Sequence, residues 1–467
     1  MSRTVLAIDI GSTKICAIIA EVDSNDNIEI TGTGTVKSYG LKKGSITNID
    51  LASKSIKLAV EDAKRIAGVD INSAVVSISG AYAKSVHSTG IVNIQSKEIS
   101  ITEIERVMDT ALYNANIPND SDVLHALPYN FRVDEQDFIE DPLGMNASRL
   151  EVETHIITTQ KSNLNNLKKA VKAAGIEVEN VVLNGYASSI STLNNDEKEL
   201  GVVVIDMGSN TCNVIIHAGN SIKYNDFLGV GSNHITNDLS KALHTPISIA
   251  ENVKLNYCSL ITPSSDLIEL PEIGDTETIK EVSLEIVNSV AYARAEETLM
   301  ILAQFIEQSG LKEQIGAGFV LTGGFSRMDG MRDLAVAVFE SQSIRLARPK
   351  EMNGVFNNLK EPEYASAIGL LMYTASSYTK YEIDVNKKVR HPNEIPRAKT
   401  IVTGLTNTAN INSVPVIEET ASISTPAQAN LEQDDVMVDL NQITKDKDKG
   451  KKPNIFEKFT NWATQLF

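Results

Sequence analysis

Cysteine is nearly missing from this 467-residue chain, which has only Cys16, Cys212 and Cys258. None stands in a Cys-x-x-Cys pair, so neither a disulfide framework nor a cysteine-built metal site is available, and a reducing cytoplasm is expected. Long apolar runs are missing too, since no stretch approaches the roughly 20 residues that a membrane-crossing helix needs. Residues 1–10 carry Arg3 and Asp9 and give no apolar segment of a signal peptide, so any membrane contact is expected to be peripheral. Basic residues are in deficit, 43 Lys and Arg against 60 Asp and Glu; the resulting net charge of -17 repels a phosphate backbone, and nucleic acid is not an expected partner. Neither GxGxxG nor GxxxxGK[ST] occurs, which removes the dinucleotide and P-loop ways of holding phosphate at a helix N-terminus.

With 42% hydrophobic residues, the chain can bury enough apolar surface to fold, and its length implies two to four units rather than one. Up to about residue 380, β-branched runs alternate with amphipathic helical stretches, which is the pattern of α/β layers. After Tyr381 no Phe, Tyr or Trp appears until Phe456, and Thr, Asn, Ser, Pro, Ala and charged residues take over. This composition predicts a disordered linker over 381–453, and about 70 residues of flexible coil reach about 45 Å.

An internal repeat lies within the folded part. VLAIDIGSTKICAII, starting at Val5, lines up with VVVIDMGSNTCNVII, starting at Val202, with Asp and Gly-Ser in register. Each copy reads as strand, tight turn, strand. Such a turn exposes backbone N–H groups, and Gly11 and Gly208 let an anion approach the main chain. Hydroxyls of Ser12, Thr13, Ser209 and Thr211 add donors, Lys14 supplies a point charge, and Asp9 and Asp206 can hold a hydrated Mg²⁺. Two such turns facing each other would clamp a polyphosphate. A third glycine cluster, LTGGFS with Gly323, Gly324 and Phe325, follows a strand and allows a flat group to lie against the backbone.

In this order, the three loops resemble those of the actin, Hsp70 and sugar-kinase superfamily. The two phosphate loops of that superfamily are similar to DIGSTK and DMGSNT, and its adenosine loop is similar to LTGGFS. The resemblance implies ATP and Mg²⁺ between two domains, with Gly11, Ser12, Thr13, Lys14, Gly208, Ser209, Asn210 and Thr211 on phosphate and Asp9 and Asp206 on the metal through water. Gly229 and Gly231 of LGVGSNHIT would border the adenosine with Gly323, Gly324 and Phe325. Glu251 and Lys254 are similar to the pair flanking the adenosine, and equally fit a surface i,i+3 ion pair. VVLNGYASSIS and EYASAIGLLMY resemble the connecting helices at the domain hinge.

The segment HALPYNFRVDEQDFIEDPLGMNASRLEVETHIIT narrows the resemblance. With His125, Leu127, Pro128, Asp134, Pro142, Gly144, Met145, Arg149, Leu150, Glu151 and His155 in place, it is similar to the bacterial cell-division family FtsA. On the residues alone, His125 and His155 read as core or edge histidines with no catalytic role. The resemblance implies an actin-like, ribonuclease H-like duplicated α/β fold of two ATP-binding domains with a small inserted α+β domain. Residues 1–83 would open domain I, 84–162 would form the insert, 163–198 would continue domain I with a hinge helix, 199–340 would form domain II with a small subdomain near 229–305, and 341–380 would close domain I.

The C-terminal residues 454–467, NIFEKFTNWATQLF, repeat Ile455, Phe456, Phe459, Trp462, Leu466 and Phe467 at three- and four-residue steps, one face of a helix about 20 Å long. A helix of this length lies in an interface, and Lys458 with the lysines upstream would favour an anionic leaflet. The same face would also suit docking on the chain's own body or on another protein. In FtsA such a helix targets the membrane. The family resemblance therefore implies an adaptor that polymerises head to tail at the septal membrane, binds the C-terminal peptide of FtsZ and recruits other division proteins. Arg294 matches an FtsZ-binding position and also fits an ordinary solvated helix residue. ATP is expected as an assembly cofactor with at most slow hydrolysis, and no residue is assigned as catalytic. A small-molecule kinase of the superfamily is the alternative, but it would need a base beyond Asp9 and Asp206. A chaperone like Hsp70 would need a β-rich domain where the linker stands.

Overall fold

Strands buried on both faces read as continuous apolar runs, and VLAIDI and VVVIDM are such runs. Each becomes the middle strand of a five-stranded sheet. In the computed structural model, which describes residues 2–390 other than 220, 262, 263, 342, 355 and 377, the two sheets share one topology. The first runs Ile28–Lys37, Lys14–Val22, Arg3–Ile10, Ser73–Ile78, Glu177–Leu183; the second runs Ser221–Leu228, Cys212–Ala218, Val202–Met207, Gly318–Thr322, Ile344–Leu346. In both, the first three strands form an antiparallel meander and the last two continue in parallel. The internal repeat is therefore a repeat of a whole sheet, and its two Gly-Ser turns occupy equivalent hairpin tips.

Helix Ile49–Ala67 packs on the first sheet through Ala52, Ile56, Ala59, Val60 and Ala63, all buried at three- and four-residue spacing. Asn48 caps its start by accepting from the Leu51 N–H at 3.0 Å. Beside the second sheet, helices Ser232–Ala242 and Ile247–Tyr257 precede the hairpin Leu267–Glu272 and Asp275–Ser283. The long helix Leu284–Gln308 then returns with Val287, Ala291, Ala295, Leu299, Leu302 and Ile306 in the core. Among the described residues no helix is long and apolar enough to cross a membrane.

A third sheet is built on Lys84–Asn93, Ser121–Val133 and Arg149–Gln160, with helix Ile101–Asn114 over it. His155 Nδ1 of this sheet lies 3.1 Å from the Ile222 carbonyl, joining it to the edge strand of the second five-stranded sheet. Burial pushes the His155 imidazole down to about 3, so it is neutral there.

The same sheet is extended by Glu382–Ile383 and Val389–Arg390, which corrects the linker start expected at 381. Glu382 is fully buried and accepts from His125 Nδ1 at 2.7 Å, Tyr373 OH at 2.9 Å and Tyr186 OH at 3.1 Å. These bonds satisfy a carboxylate that the linker composition would place in water. The expected linker from 391 onward and the amphipathic segment, with Ile455, Phe456, Lys458, Phe459, Trp462, Leu466 and Phe467, lie outside the described residues.

Tyr186 and Tyr373 belong to two buried helices, Asn184–Thr192 and Ala365–Ala375, which cross between the halves. Their crossing leaves no room at Gly369, where an added Cβ would stand 1.7 Å from the Ala187 carbonyl oxygen. Only glycine allows backbones this close.

Candidate nucleotide site

The hairpin register sets the site. Asp9 pairs with Cys16 and Asp206 with Asn213, so each carboxylate stands one residue before the end of its strand, next to its Gly-Ser turn. The turns close through Gly11 N–H to the Lys14 carbonyl at 3.0 Å and Gly208 N–H to the Thr211 carbonyl at 2.8 Å. They face each other, because the hydroxyls of Thr13 and Ser209 are hydrogen-bonded across the gap. Ser12 Oγ accepts from Gly44 N–H at 2.9 Å, adding a short loop from the first half.

Both aspartates are buried and are held by serines that the sequence motifs did not single out. Ser77 Oγ donates to Asp9 at 2.9 Å and Ser366 Oγ donates to Asp206 at 3.0 Å. Burial raises both carboxyls; Asp206 is pushed up to about 6, with a further contribution from Asp9. The Lys14 ammonium is buried without a hydrogen-bond partner and stands 3.4 Å from the centre of the Tyr364 ring. Its pKa is lowered by burial, while Glu363, Asp9 and Asp206 pull it back up. A buried cation with no acceptor is an incomplete site, and an anion entering between the turns would complete it.

Gly231 and the N-terminus of helix Ser232–Ala242 close one side of the second turn. Ser232 N–H reaches the Gly208 carbonyl at 3.2 Å, Asn233 N–H reaches the Ser209 carbonyl at 2.7 Å, and Asn233 Nδ2 donates to Asn210 Oδ1 at 3.1 Å. A Cβ on Gly231 would lie 2.5 Å from the Gly208 oxygen, whereas Gly229 stands free of such contact, near Lys43 and Phe227. Lys254 is buried and donates to Glu251 at 2.7 Å and to Thr236 Oγ1 at 2.9 Å, and Thr236 donates to the same Glu251 oxygen at 2.5 Å. The two therefore do form an i,i+3 ion pair, with Glu251 partly exposed, and Thr236 binds both partners beside buried Lys254.

Gly323 has φ of 84°, and a Cβ there would stand 2.4 Å from the Met207 carbonyl oxygen and 2.6 Å from Asp206 Oδ1, so the glycine loop leaves no room for a side chain against the second turn. Gly324 is less confined, with room for a Cβ 3.5 Å from Glu363 Cβ, and Phe325 is a core side chain. Arg294 lies apart from these loops, on the long helix. Its guanidinium binds Asp238 at 2.6 Å and also Glu297, which together hold its pKa up against the opposing effect of burial.

Two duplicated sheets, hairpin turns that face each other and two crossing helices define an actin-like protein with a small inserted domain. Solved structures agree on the fold: the PilM-PilN type IV pilus biogenesis complex aligns with a TM-score of 0.56 at 15% identity, covering 80% of this chain and 99% of that one. The family model described as the SHS2 domain inserted in FTSA matches residues 80–158, and that of cell division protein FtsA matches residues 203–369. The chain is 38% identical over 456 residues to the cell division protein FtsA of Helicobacter pylori strain ATCC 700392 / 26695, covering 91% of this chain and 92% of that protein. To the FtsA of Pseudomonas aeruginosa it is 36% identical over 374 residues, covering 79% and 89%. The chain belongs to the FtsA family of cell division proteins.

Proposed function

We propose that the chain binds ATP with Mg²⁺ between its two turns and assembles head to tail at the cytoplasmic face of the septal membrane. There it anchors FtsZ and helps recruit other division proteins. The observation that carries the nucleotide is the unpartnered Lys14 ammonium set between two hairpin tips that already touch through Thr13 and Ser209. The phosphates would take the turn amides and Lys14; the adenosine would lie by Gly229, Gly231, Gly323 and Gly324, with Glu251 and Lys254 supporting the wall. Among the described residues no three metal-ligating side chains converge, which suits Mg²⁺ held by Asp9 and Asp206 through water. When bound, the ion would offset the charge of two buried carboxylates facing a polyphosphate.

Nucleotide bound by both halves favours the closed arrangement, and a repeated non-self-matching contact between closed copies grows into a filament. The inserted domain, near 84–162, supplies contact surface to other proteins in this reading. Arg294 would receive the FtsZ peptide by sharing or exchanging Asp238 or Glu297 for a peptide carboxylate. The C-terminal apolar face anchors the assembly, since each large side chain buried in the interface contributes about 1.5 to 3 kcal/mol before ordering costs. Co-sedimentation with liposomes tests the proposal on the full chain and on a chain ending at Lys452, each with ATP and FtsZ. The full chain should carry FtsZ down with lipid and the shortened one should not; equal behaviour of the two removes the anchoring role.

A further inference from the structure

One short segment touches all three loops of the site. In Glu361–Ser366, the Pro362 carbonyl accepts from Gly323 N–H at 3.2 Å, and Glu363 accepts from Arg327 Nη1 at 2.7 Å, which fixes the segment to the glycine loop. Three residues on, Ser366 Oγ donates to Asp206 of the second turn. Between these, Tyr364 presents its ring face to the Lys14 ammonium of the first turn at 3.4 Å. The ring is itself confined, because Tyr364 is buried. The segment runs directly into the crossing helix Ala365–Ala375.

A lysine stem has four rotatable bonds, and an ammonium lacking acceptors would otherwise swing toward water or toward the carboxylates that surround it. A ring face attracts the cation without supplying an acceptor, so it fixes the position of the charge and leaves its three N–H donors free. We infer that Tyr364 is a positioning residue that holds Lys14 ready for the phosphates of a nucleotide and ties the occupancy of the first turn to the crossing helix. This rests on the reading that a nucleoside polyphosphate enters the cleft. Because Lys14 is placed before the ligand arrives, less freedom is lost on binding, and the gain is confined to ligands that carry phosphate.

The test is equilibrium binding of ATP to the full-length chain and to four variants, Tyr364→Leu, Tyr364→Phe, Lys14→Met and the Lys14→Met, Tyr364→Leu double variant, each checked for native thermal unfolding. Tyr364→Leu, which removes the ring face, should weaken ATP binding about tenfold, the size expected for a partly desolvated cation–π contact. Tyr364→Phe retains the ring and should stay within about twofold of the native chain. In a Lys14→Met background the Tyr364→Leu change should have no further effect, since it acts only through the ammonium. Native affinity in Tyr364→Leu, equal losses in the Phe and Leu variants, or an undiminished loss in the Lys14→Met background would each overturn the inference. Absence of ATP binding by the native chain would instead overturn the nucleotide reading and the inference with it.

Discussion

Adding one methyl group at Gly369 should part the two crossing helices. The Cβ of Gly369→Ala would stand 1.7 Å from the carbonyl oxygen of Ala187, 2.4 Å from its carbonyl carbon and 3.0 Å from its Cα. All three atoms are backbone, so no side chain can swing aside. Restoring contact at about 3.4 Å requires the helices to move apart by roughly 1.5 Å. Two effects oppose each other. Alanine is favoured over glycine in a helix interior by about 0.8 to 1 kcal/mol, while overpacking a buried contact costs about 1 to 3 kcal/mol. Every residue of Ala365–Ala375 is buried, so strain there cannot relax into solvent, and the clash should win by about 1 to 2 kcal/mol. Thermal unfolding followed by circular dichroism should show a fall of a few degrees, whereas Gly324→Ala, with its 3.5 Å clearance, should match the native chain. A Gly369→Ala chain as stable as the native one would refute the close crossing.

Three further outcomes follow from the same structure. Glu382→Ala leaves His125, Tyr186 and Tyr373 buried without their shared acceptor and should cost about 3 kcal/mol, read as a lowered denaturant midpoint; an unchanged midpoint would mean that the segment 382–390 does not hold the third sheet to the crossing helices. Asp206 has a pKa raised to about 6 by burial, so above that pH its charge opposes folding. As pH falls from about 6 toward the ordinary carboxyl value the folded state takes up a proton and gains stability. Asp206→Asn should therefore compare more favourably with the native chain at pH 7 than at pH 5, by about 1 kcal/mol, and a pH-independent difference would contradict this. Trp462→Glu should abolish liposome co-sedimentation without altering thermal unfolding; retained lipid binding would remove the membrane assignment of that segment.

The parts of this molecule written in contiguous residues were the legible ones. DIGSTK and DMGSNT carry their own turn chemistry, so the duplication and the facing turns can be expected, and the insert can be assigned from one uninterrupted segment. What the sequence hid was pairing between distant positions. Ser77 and Ser366 are unremarkable serines until the fold brings them to Asp9 and Asp206. Tyr364 lay within EYASAIGLLMY, yet nothing local indicates that its ring would meet Lys14. By composition the segment 382–390 reads as linker, because its strands are two residues long and Glu382 and Asp384 look solvated; both are buried by partners far away in the chain. Arg294 illustrates the opposite limit, since a helix position alone could not show that Asp238 and Glu297 already bind it.

The central claim is that the two turns hold a nucleoside polyphosphate. Calorimetric titration of the full chain with ATP in the presence of Mg²⁺, set beside adenosine, tests it most directly. ATP should bind far more tightly than adenosine, and Lys14→Met should remove most of that difference. Equal affinity for the two ligands, or no binding of ATP at all, would contradict the account.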